Sequence, residues 1–112
     1  MPEEPLPAPG AFRPGPDVLP LVSDATPWSI LRELALAGPL TVGQLTARIA
    51  RPAAAISKHL AVLREGCLVL QRVTVATDRR AIPSEIDPRW RVAGDPTLLD
   101  FGSCVLRLTR TA

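Results

Sequence analysis

The chain contains few of the side chains that usually carry out catalysis or hold metal ions. Its 112 residues include one histidine, two cysteines and no tyrosine. Cys67 and Cys104 are thirty-seven residues apart and neither forms part of a C-x-x-C pair, so neither a disulfide framework nor a zinc site is indicated. The sequence also has no nucleophile motif, glycine-rich phosphate loop or cluster of carboxylates. We therefore expect no enzyme activity, no cofactor and no metal ion.

Long hydrophobic runs are absent too. No apolar stretch approaches the roughly 18 residues that a helix needs to span a bilayer. The first residues, MPEEPLPAPG, are acidic and rich in proline, whereas a signal peptide begins with a basic segment and continues with an apolar one. We expect a protein of the cytoplasm that does not contact membranes.

Lysine is nearly absent, and the charge is unevenly distributed. Twelve of the thirteen basic residues are arginine, which suits bidentate contacts with phosphates and bases but is explained at least as well by genome composition. Residues 1–24 carry one basic and four acidic side chains, a net charge of −3, and the other residues carry twelve basic and seven acidic ones, a net charge of +5. A polyanion would be attracted to the second part. A domain of this size buries only about two thirds of its unfolded surface, so dimerisation would stabilise it.

The N-terminal segment is dominated by proline. Seven of the thirteen prolines lie within residues 1–20, where fixed φ angles and missing N–H donors disfavour helices and central strands. We predict a flexible, proline-rich tail over residues 1–23. The alternative is that this segment folds over the domain through its apolar side chains, Phe12, Val18, Leu19 and Leu21.

Three helical patterns follow the tail. Order is predicted to begin at Asp24, and the first helix has Thr26 as its cap and Pro27 as its first helical residue and ends at Gly38 and Pro39. Its apolar side chains recur at helical spacing: Trp28, Leu31, Leu34 and Ala35.

The second and third helices are short and close together, which is the layout of a helix-turn-helix. Thr41 is predicted to cap the second helix, which ends near Ala50. After a turn at Arg51, Pro52 opens the third helix, and Gly66 supplies its stop. The apolar residues of the two helices are Val42, Leu45 and Ile49, then Ile56, Leu60 and Leu63.

Beyond the third helix the apolar period changes from helical to alternating. Residues 68–75 suit a strand, residues 77–80 suit a hairpin tip, and the partner strand is predicted at Ala81 and Ile82. Helix, helix, helix and hairpin is the order of a winged helix. The predicted fold class is therefore α+β, a winged helix-turn-helix domain over residues 24–83 that consists of a three-helix bundle and a β-hairpin wing.

An additional C-terminal β segment is predicted after the wing, within residues 84–112, and it packs on the domain or on a partner. Residues 84–96 contain two Asp-Pro steps and read as a loop, and residues 97–108 read as strand. The apolar residues change phase: Leu99 and Phe101 alternate together, and Cys104, Leu106 and Leu108 alternate in the opposite phase. A slip of one residue near Gly102, by a β-bulge or a tight turn, would put all five on one face. Cys67 is expected to be a small core residue.

Residues 56–69, ISKHLAVLREGCLV, resemble the recognition helix and wing entry of ArsR-like winged-helix repressors, in which the words S-[KR]-H-L-x-x-L-x-x-x-G-L-V are common. Upstream, residues 38–45, GPLTVGQL, look like the lead into the second helix of that family. The resemblance covers about residues 25–82. It implies a DNA-binding transcriptional regulator that acts as a homodimer, with two third helices in adjacent turns of the major groove. Metal-sensing members carry a cysteine pair or a His/Asp/Glu set on a helix, and this sequence has neither.

The resemblance also implies which residues contact double-stranded DNA. Ser57 is expected to reach a base edge or a phosphate, and Lys58 a phosphate. His59 could brace the helix or reach a phosphate, although a packed, hydrogen-bonded histidine is the preferred interpretation. The further DNA-binding candidates are Thr41, Arg51, Ala54, Arg64, Arg72, Arg79 and Arg80, of which the last two lie at the predicted wing tip. Surface solvation explains each single arginine equally well.

Residues 52–55, PAAA, depart from the family, whose recognition helices usually begin with small polar residues. Alanine can touch a thymine methyl group but cannot form a hydrogen bond through its side chain, so we expect weak direct readout of bases. The alternative function is a winged-helix protein–protein interaction module that has lost sequence-specific DNA binding, with residues 98–108 offering an apolar strand to another chain. Candidates for a dimer contact are Trp28, Leu31 and the last strand.

Overall fold

The computed structural model describes residues 18–71, 82–102 and 104–109. Four helices come first: α1 (Val18–Leu21), α2 (Ala25–Ala37), α3 (Val42–Ile49) and α4 (Ala53–Glu65). The strands follow: β1 (Val69–Gln71), β2 (Ser84–Ile86), β3 (Arg91–Val92), β4 (Asp95–Asp100) and β5 (Val105–Arg107), with a 3-10 turn at Pro88–Trp90. Helices α2, α3 and α4 are the three that the sequence predicts, and antiparallel strands follow them. The predicted α+β winged helix-turn-helix class is confirmed.

The short helix α1 belongs to the folded domain. Val18 and Val22 are buried, at 2% and 8% exposure, and the Val22 N–H donates to the Val18 carbonyl at 3.1 Å. This differs from the flexible tail expected for residues 18–23, and the alternative of a segment folded over the domain describes it better. Apolar side chains at Val18, Leu21 and Val22 have helical spacing, and Pro20 lies in the first turn, where its missing N–H is not needed. Phe12 lies outside the described residues.

Helix α2 begins two positions earlier than predicted, at Ala25 and not at Pro27. Asp24 is its N-cap residue, without a side-chain hydrogen bond, so the prediction of Thr26 as the cap is wrong. Pro27 is the third helical residue and is buried. The predicted stop is confirmed: Gly38 has a φ of 92°, and its N–H donates to the Leu34 carbonyl at 3.1 Å.

Helix α3 begins with the predicted cap. The Gln44 N–H donates to the Thr41 hydroxyl oxygen at 3.2 Å, and the Thr41 N–H donates to the Gln44 side-chain oxygen at 2.9 Å. This reciprocal pair satisfies two backbone donors that the helix itself cannot. The helix ends at Ala50, which has a left-handed backbone (φ 62°, ψ 45°) and opens the turn into α4. Pro52 then takes the N-cap position of α4.

Helix α4 buries the predicted stripe of Ile56, Leu60 and Leu63. Its C-terminus is closed by two bonds, from the Cys67 N–H to the Arg64 carbonyl and from the Leu68 N–H to the Leu63 carbonyl, each at 3.0 Å. This Schellman arrangement requires a left-handed residue, and that residue is Cys67, with a φ of 67°. The helix stops at Gly66 as predicted, since Gly66 is its C-cap residue, but the φ of Gly66 is −81° and the left-handed conformation belongs to the next residue.

The position of Cys67 has a simple explanation in the sequence pattern. When the ArsR-like motif S-[KR]-H-L-x-x-L-x-x-x-G-L-V is aligned from Ser57, its glycine corresponds to residue 67. A cysteine therefore occupies a position where that motif has glycine. The side chain of Cys67 is exposed at the C-terminal end of α4. The expectation of a small core cysteine is therefore wrong. Gly66 has a different constraint, because a Cβ atom there would collide with Leu21 Cδ1 of α1.

Strands β1 and β2 form the base of the predicted wing. They are antiparallel, with Val69 opposite Ile86 and Gln71 opposite Ser84. Residues 72–81, including the predicted tip at 77–80 and the predicted return at Ala81, lie outside the described residues.

The described partner strand of β1 begins beyond Pro83, inside the segment that we expected to be a loop. Ser84 is buried and also bridges to Leu40, with its N–H and carbonyl both bonded across at 2.9 and 3.0 Å. Proline is tolerated just before a strand, because its missing N–H removes no ladder bond there. The loop prediction for residues 84–96 is therefore wrong: β2, the 3-10 turn, β3 and the first residues of β4 lie there.

The second sheet has the order β3-β4-β5 and is antiparallel. A tight turn at Gly102, with a φ of 87°, joins β4 to β5, and the Phe101 N–H donates to the Cys104 carbonyl at 2.9 Å across it. The predicted change of phase is confirmed, and the five apolar residues that it brings to the core side are Leu99, Phe101, Cys104, Leu106 and Leu108. Trp90 packs beside Phe101 with ring centroids 5.5 Å apart, so this sheet shares one core with the helices.

Candidate nucleic-acid interface

The outer face of α4 follows from its buried face. Because Ile56, Leu60 and Leu63 turn inward at spacings of four and three residues, Ser57 and Lys58 project outward from the middle of the helix. Ala54 lies one turn before them and is also exposed. These side chains lie at i, i+3 and i+4, so they share one face, which a major groove about 12 Å wide can admit.

The first turn of α4 offers little hydrogen-bonding chemistry. Ala53 and Ala54 are exposed and Ala55 is half-buried. A methyl group can contact thymine but cannot distinguish bases through hydrogen bonds. Ser57 is therefore the first side chain of the helix that can donate or accept a hydrogen bond at this face.

The turn between α3 and α4 and the cap of α3 complete the surface. Arg51 is exposed in the turn. Thr41 is half-buried, and its hydroxyl oxygen accepts the Gln44 N–H, which leaves the hydroxyl hydrogen able to donate to a phosphate. These positions lie at the two ends of α3, on either side of the helix-turn-helix.

Apart from Arg91, which donates to backbone carbonyls, the lysine and arginine side chains of the described residues fall into two groups. Four arginines lie beside carboxylates: Arg32 and Arg48 beside Glu33, Arg89 beside Asp87, and Arg107 beside Asp95. By contrast, Arg51, Lys58 and Arg64 are exposed and form no ion pair within residues 18–71, 82–102 and 104–109. They lie just before α4, in its middle and in its last turn. Positive charge that no carboxylate neutralises is thus concentrated along the helix that would enter DNA.

Glu33 connects α2 to α3 through its side chain, and the sequence reasoning missed it. Its side chain is buried at 3% exposure, and Oε1 accepts a hydrogen bond from Arg48 Nη1 of α3 at 3.1 Å. Arg32 Nε lies 3.5 Å from the other carboxylate oxygen. A buried carboxylate needs such partners to offset its lost hydration. The signal was a single acid three residues after the buried Ile30, on the edge of the apolar face of α2.

Arg91 and Arg89 bond to other groups of the fold. Arg91 donates from Nη1 and Nη2 to the carbonyls of Ala35 and Leu34, each at 3.3 Å, where the C-terminal end of α2 carries partial negative charge. Arg89 Nη2 lies 2.8 Å from Asp87 Oδ2, and its guanidinium lies 4.9 Å from the Trp90 ring centroid. Burial acts to raise the pKa of Asp87, but the hydrogen bonds and charge of Arg89 outweigh it, so the pKa lies below its ordinary value of 3.8.

The sequence-predicted candidates are brought together only in part. Ala54, Ser57, Lys58 and Arg64 lie exposed along α4, Arg51 lies in the turn and Thr41 caps α3. Arg72, Arg79 and Arg80 lie outside the described residues. The imidazole of His59 is half-buried and makes no hydrogen bond to a described residue, so the expected hydrogen-bonded histidine is not found there.

The described part of the chain was also searched for metal-binding clusters and for membrane-spanning helices. No group of three histidine, cysteine, aspartate or glutamate side chains within it could hold a metal ion. Nor is any of its helices both long and apolar enough to cross a bilayer.

Comparison with known proteins identifies the same region. Residues 22–72 match a family described as a helix-turn-helix domain. Among solved structures, the chain is similar to reduced HlyU from Vibrio cholerae N16961, with 30% identity and a TM-score of 0.52 over 62% of this chain and 67% of that one. Staphylococcus aureus MarR in complex with salicylate and kanamycin has 24% identity and a TM-score of 0.55 over 62% of this chain and 49% of that one, and supports the fold alone. The chain matches none of the curated proteins significantly.

Proposed function

Because the chain belongs to the winged helix-turn-helix family of DNA-binding transcriptional regulators, we propose that it is a homodimeric, ArsR-like repressor that binds double-stranded DNA mainly through phosphates. The observation that carries this proposal is that Arg51, Lys58 and Arg64, on and beside α4, are exposed and form no ion pair with a described residue. Phosphate contacts fix a protein on the duplex without reading its sequence. The protein needs no enzyme activity, cofactor or metal ion for this role, and it would act in the cytoplasm.

Direct readout of bases is a smaller part of the proposal. Ser57 can reach a base edge, and Ala54 can contact a thymine methyl group. Lys58 and Arg64 would bind phosphates, as would Arg51 and Thr41 at the two ends of α3. The wing residues Arg72, Arg79 and Arg80 are further candidates. The remaining specificity would come from DNA shape and from the spacing of two half-sites.

Two copies are proposed because a single helix-turn-helix contacts one half-site. A two-fold symmetric dimer presents two α4 helices to successive major-groove turns, roughly 34 Å apart. Occupying a promoter in this way would block transcription by excluding other proteins. His59, half-buried beside Leu60, is proposed to brace α4 or to contact a phosphate.

The decisive experiment measures DNA affinity by fluorescence anisotropy at several salt concentrations. Duplexes are first selected from a random pool, which tests specificity and binding together. Each phosphate contact contributes about one unit to the slope of log affinity against log salt, so Arg51→Ala, Lys58→Ala and Arg64→Ala are each expected to reduce that slope by about one. Arg89→Gln is the matched control, because Arg89 is exposed but already paired with Asp87. A chain that shows no salt-dependent binding, even at low ionic strength, would refute the proposal.

A second candidate function is an interaction module that has lost sequence-specific DNA binding. The exposed alanines Ala53 and Ala54 favour it, as does the open edge of β5. The same titration separates the two functions: an interaction module would show equal, weak affinity for every selected duplex, and replacing Lys58 would leave its salt dependence unchanged.

A further inference from the structure

We propose that two copies of the chain assemble through β5, edge to edge and antiparallel, with Leu106 of one copy opposite Leu106 of the other. The C-terminal sheets would then join into one six-stranded sheet around a two-fold axis. This inference rests on the homodimer of the proposed function and assigns its interface. It uses a surface that the helix-turn-helix does not.

The hydrogen-bonding groups of β5 divide between its two sides. The Phe101 N–H bonds to the Cys104 carbonyl at 2.9 Å, and the Leu108 N–H bonds to the Thr97 carbonyl at 2.7 Å. Antiparallel pairing alternates, so Cys104, Leu106 and Leu108 direct their backbone groups toward β4. Val105 and Arg107 must direct theirs away from it. No described residue pairs with that outer edge, since β5 is last in the order β3-β4-β5.

These outward groups select a single symmetric register. When Val105 of one copy lies opposite Arg107 of the other, both residues of each copy exchange two N–H to carbonyl bonds with the partner strand. The two-fold axis then passes between the two copies of Leu106. A register centred on Val105 or on Arg107 would leave half of the outward groups unpaired within β5. The edge also has no proline or bulge to prevent such pairing.

The side chains on the outer face of the sheet support the same register. Val105 has an exposed fraction of 56% and is the more exposed of the two large apolar side chains, Val62 and Val105, that the described residues leave in solvent. In the paired sheet it would be covered by the aliphatic stem of Arg107 from the second copy. Pairing would therefore remove an exposed apolar side chain from water in each copy.

Charge complementarity favours a second copy over an unrelated peptide. On the outer face of the sheet, Asp100 of β4 lies beside Val105 of β5. In the proposed register, Arg107 of the second copy lies on the other side of Val105. Asp100 is exposed and bonds to the Gly102 N–H at 2.9 Å, and no cation lies beside it among the described residues. Arg107 Nη1 donates to the Thr97 hydroxyl oxygen at 3.3 Å and lies 3.7 Å from Asp95 Oδ2, and its side chain is 61% exposed. Asp100 of one copy and Arg107 of the second copy would lie two strands apart, with Cα atoms roughly 10 Å from each other, so their side chains can approach. The two-fold symmetry forms this pair of opposite charges twice.

Cysteine cross-linking tests the register in a chain that carries Cys67→Ser and Cys104→Ala. Leu106→Cys places two thiols across the axis with Cα atoms about 4.5 Å apart, so mild oxidation is expected to give a disulfide-linked dimer. Val105→Cys is the matched control. Its Cα atoms would lie about 8 Å apart, beyond the reach of a disulfide. Cross-linking at position 105 as efficient as at position 106 overturns the register.

Mass in solution by light scattering tests the hydrogen bonds themselves. Val105→Pro removes an outward N–H and leaves every bond from β5 to β4 in place, so it is expected to raise the dimer dissociation constant roughly 30-fold, because two symmetry-related bonds are lost. Val105→Thr keeps the N–H and a β-branched side chain, and it should remain dimeric. A wild-type chain that is monomeric, or a Val105→Pro variant that dimerises as tightly as wild type, overturns the interface. Failure of the wild type to bind DNA would instead refute the proposed function.

Discussion

Replacing Cys67 by glycine is expected to stabilise the protein. Residue 67 has a φ of 67°, and this left-handed backbone costs an L-residue with a Cβ atom about 1–2 kcal/mol. Glycine avoids that cost but loses about 0.4–1 kcal/mol through the greater freedom of the unfolded chain. The net gain is about 0.5–1 kcal/mol. For a chain of this size that corresponds to a rise in melting temperature of roughly 2–8 °C.

The structure indicates that little else changes on this substitution. The Cys67 side chain is exposed, and its sulfur has one weak contact, at 3.9 Å from the Glu65 carbonyl. The bonds that close the helix use backbone atoms: the Cys67 N–H donates to Arg64, and its carbonyl accepts the Trp90 indole N–H at 2.7 Å. Glycine retains both. The gain should therefore come from the backbone conformation alone.

Urea unfolding under reducing conditions measures the effect, with Cys67→Ala as the matched control. Alanine removes the thiol but keeps the Cβ atom, so its free energy of unfolding should stay within about 0.5 kcal/mol of the wild-type value. If Cys67→Gly is no more stable than Cys67→Ala, the left-handed backbone does not strain residue 67 and the reasoning fails.

Three further predictions concern buried polar groups. Glu33→Ala should lower the free energy of unfolding by about 1–3 kcal/mol, measured by urea titration, because it leaves two arginines without their carboxylate, and a smaller loss than 0.5 kcal/mol would contradict the role given to the pair. The pKa of Asp87 is lowered in the fold, so its pairing with Arg89 stabilises above the unfolded pKa of 3.8 and is lost as the pH falls through the folded pKa. Melting temperatures between pH 2.5 and 6 should therefore fall less steeply for Asp87→Asn than for wild type, and equal slopes would refute this. Trp90→Phe should cost about 1–3 kcal/mol by thermal unfolding, since the Cys67 carbonyl loses its donor.

The fold was predictable wherever hydrophobic period and capping agreed. The stripe at Ile56, Leu60 and Leu63 needs only the geometry of a helix, and the Thr41 cap needs only local hydrogen bonds. The change of phase near Gly102 was also predictable from the sequence. Strand side chains alternate between two faces, so a shift of one residue exchanges the side chains of the two faces.

The remaining elements depend on contacts between distant residues. Strand β2 was missed because Ser84 and its neighbours are short and polar, and they become a strand by pairing with β1 and Leu40. Helix α1 was missed because its four residues are stable only against the core. Glu33 was missed because a buried acid is recognisable only when its partner Arg48, fifteen residues away, is seen beside it.

The sequence predicted which helix carries the candidate residues, but not which of the arginines form ion pairs. The resemblance located α4 and its outward residues. It did not distinguish the paired arginines, such as Arg89 and Arg48, from the unpaired Arg51 and Arg64, because pairing is a property of the folded chain. Among the described arginines, the structure therefore favours Arg51 and Arg64 as the positions to test for DNA contact.

The indole bond from Trp90 to the Cys67 carbonyl connects the C-terminal end of α4 to the 3-10 turn that leads into the second sheet, and we treat this connection as the pivot for a tilt of the helix. The thirteen residues of α4 extend about 20 Å from that pivot. A rotation of about 10° at Cys67 would move the N-terminal end of the helix, at Ala53, by about 3.5 Å, close to the rise of one base pair. Small adjustments of the strands beneath Trp90 would thus be magnified at the far end of the helix.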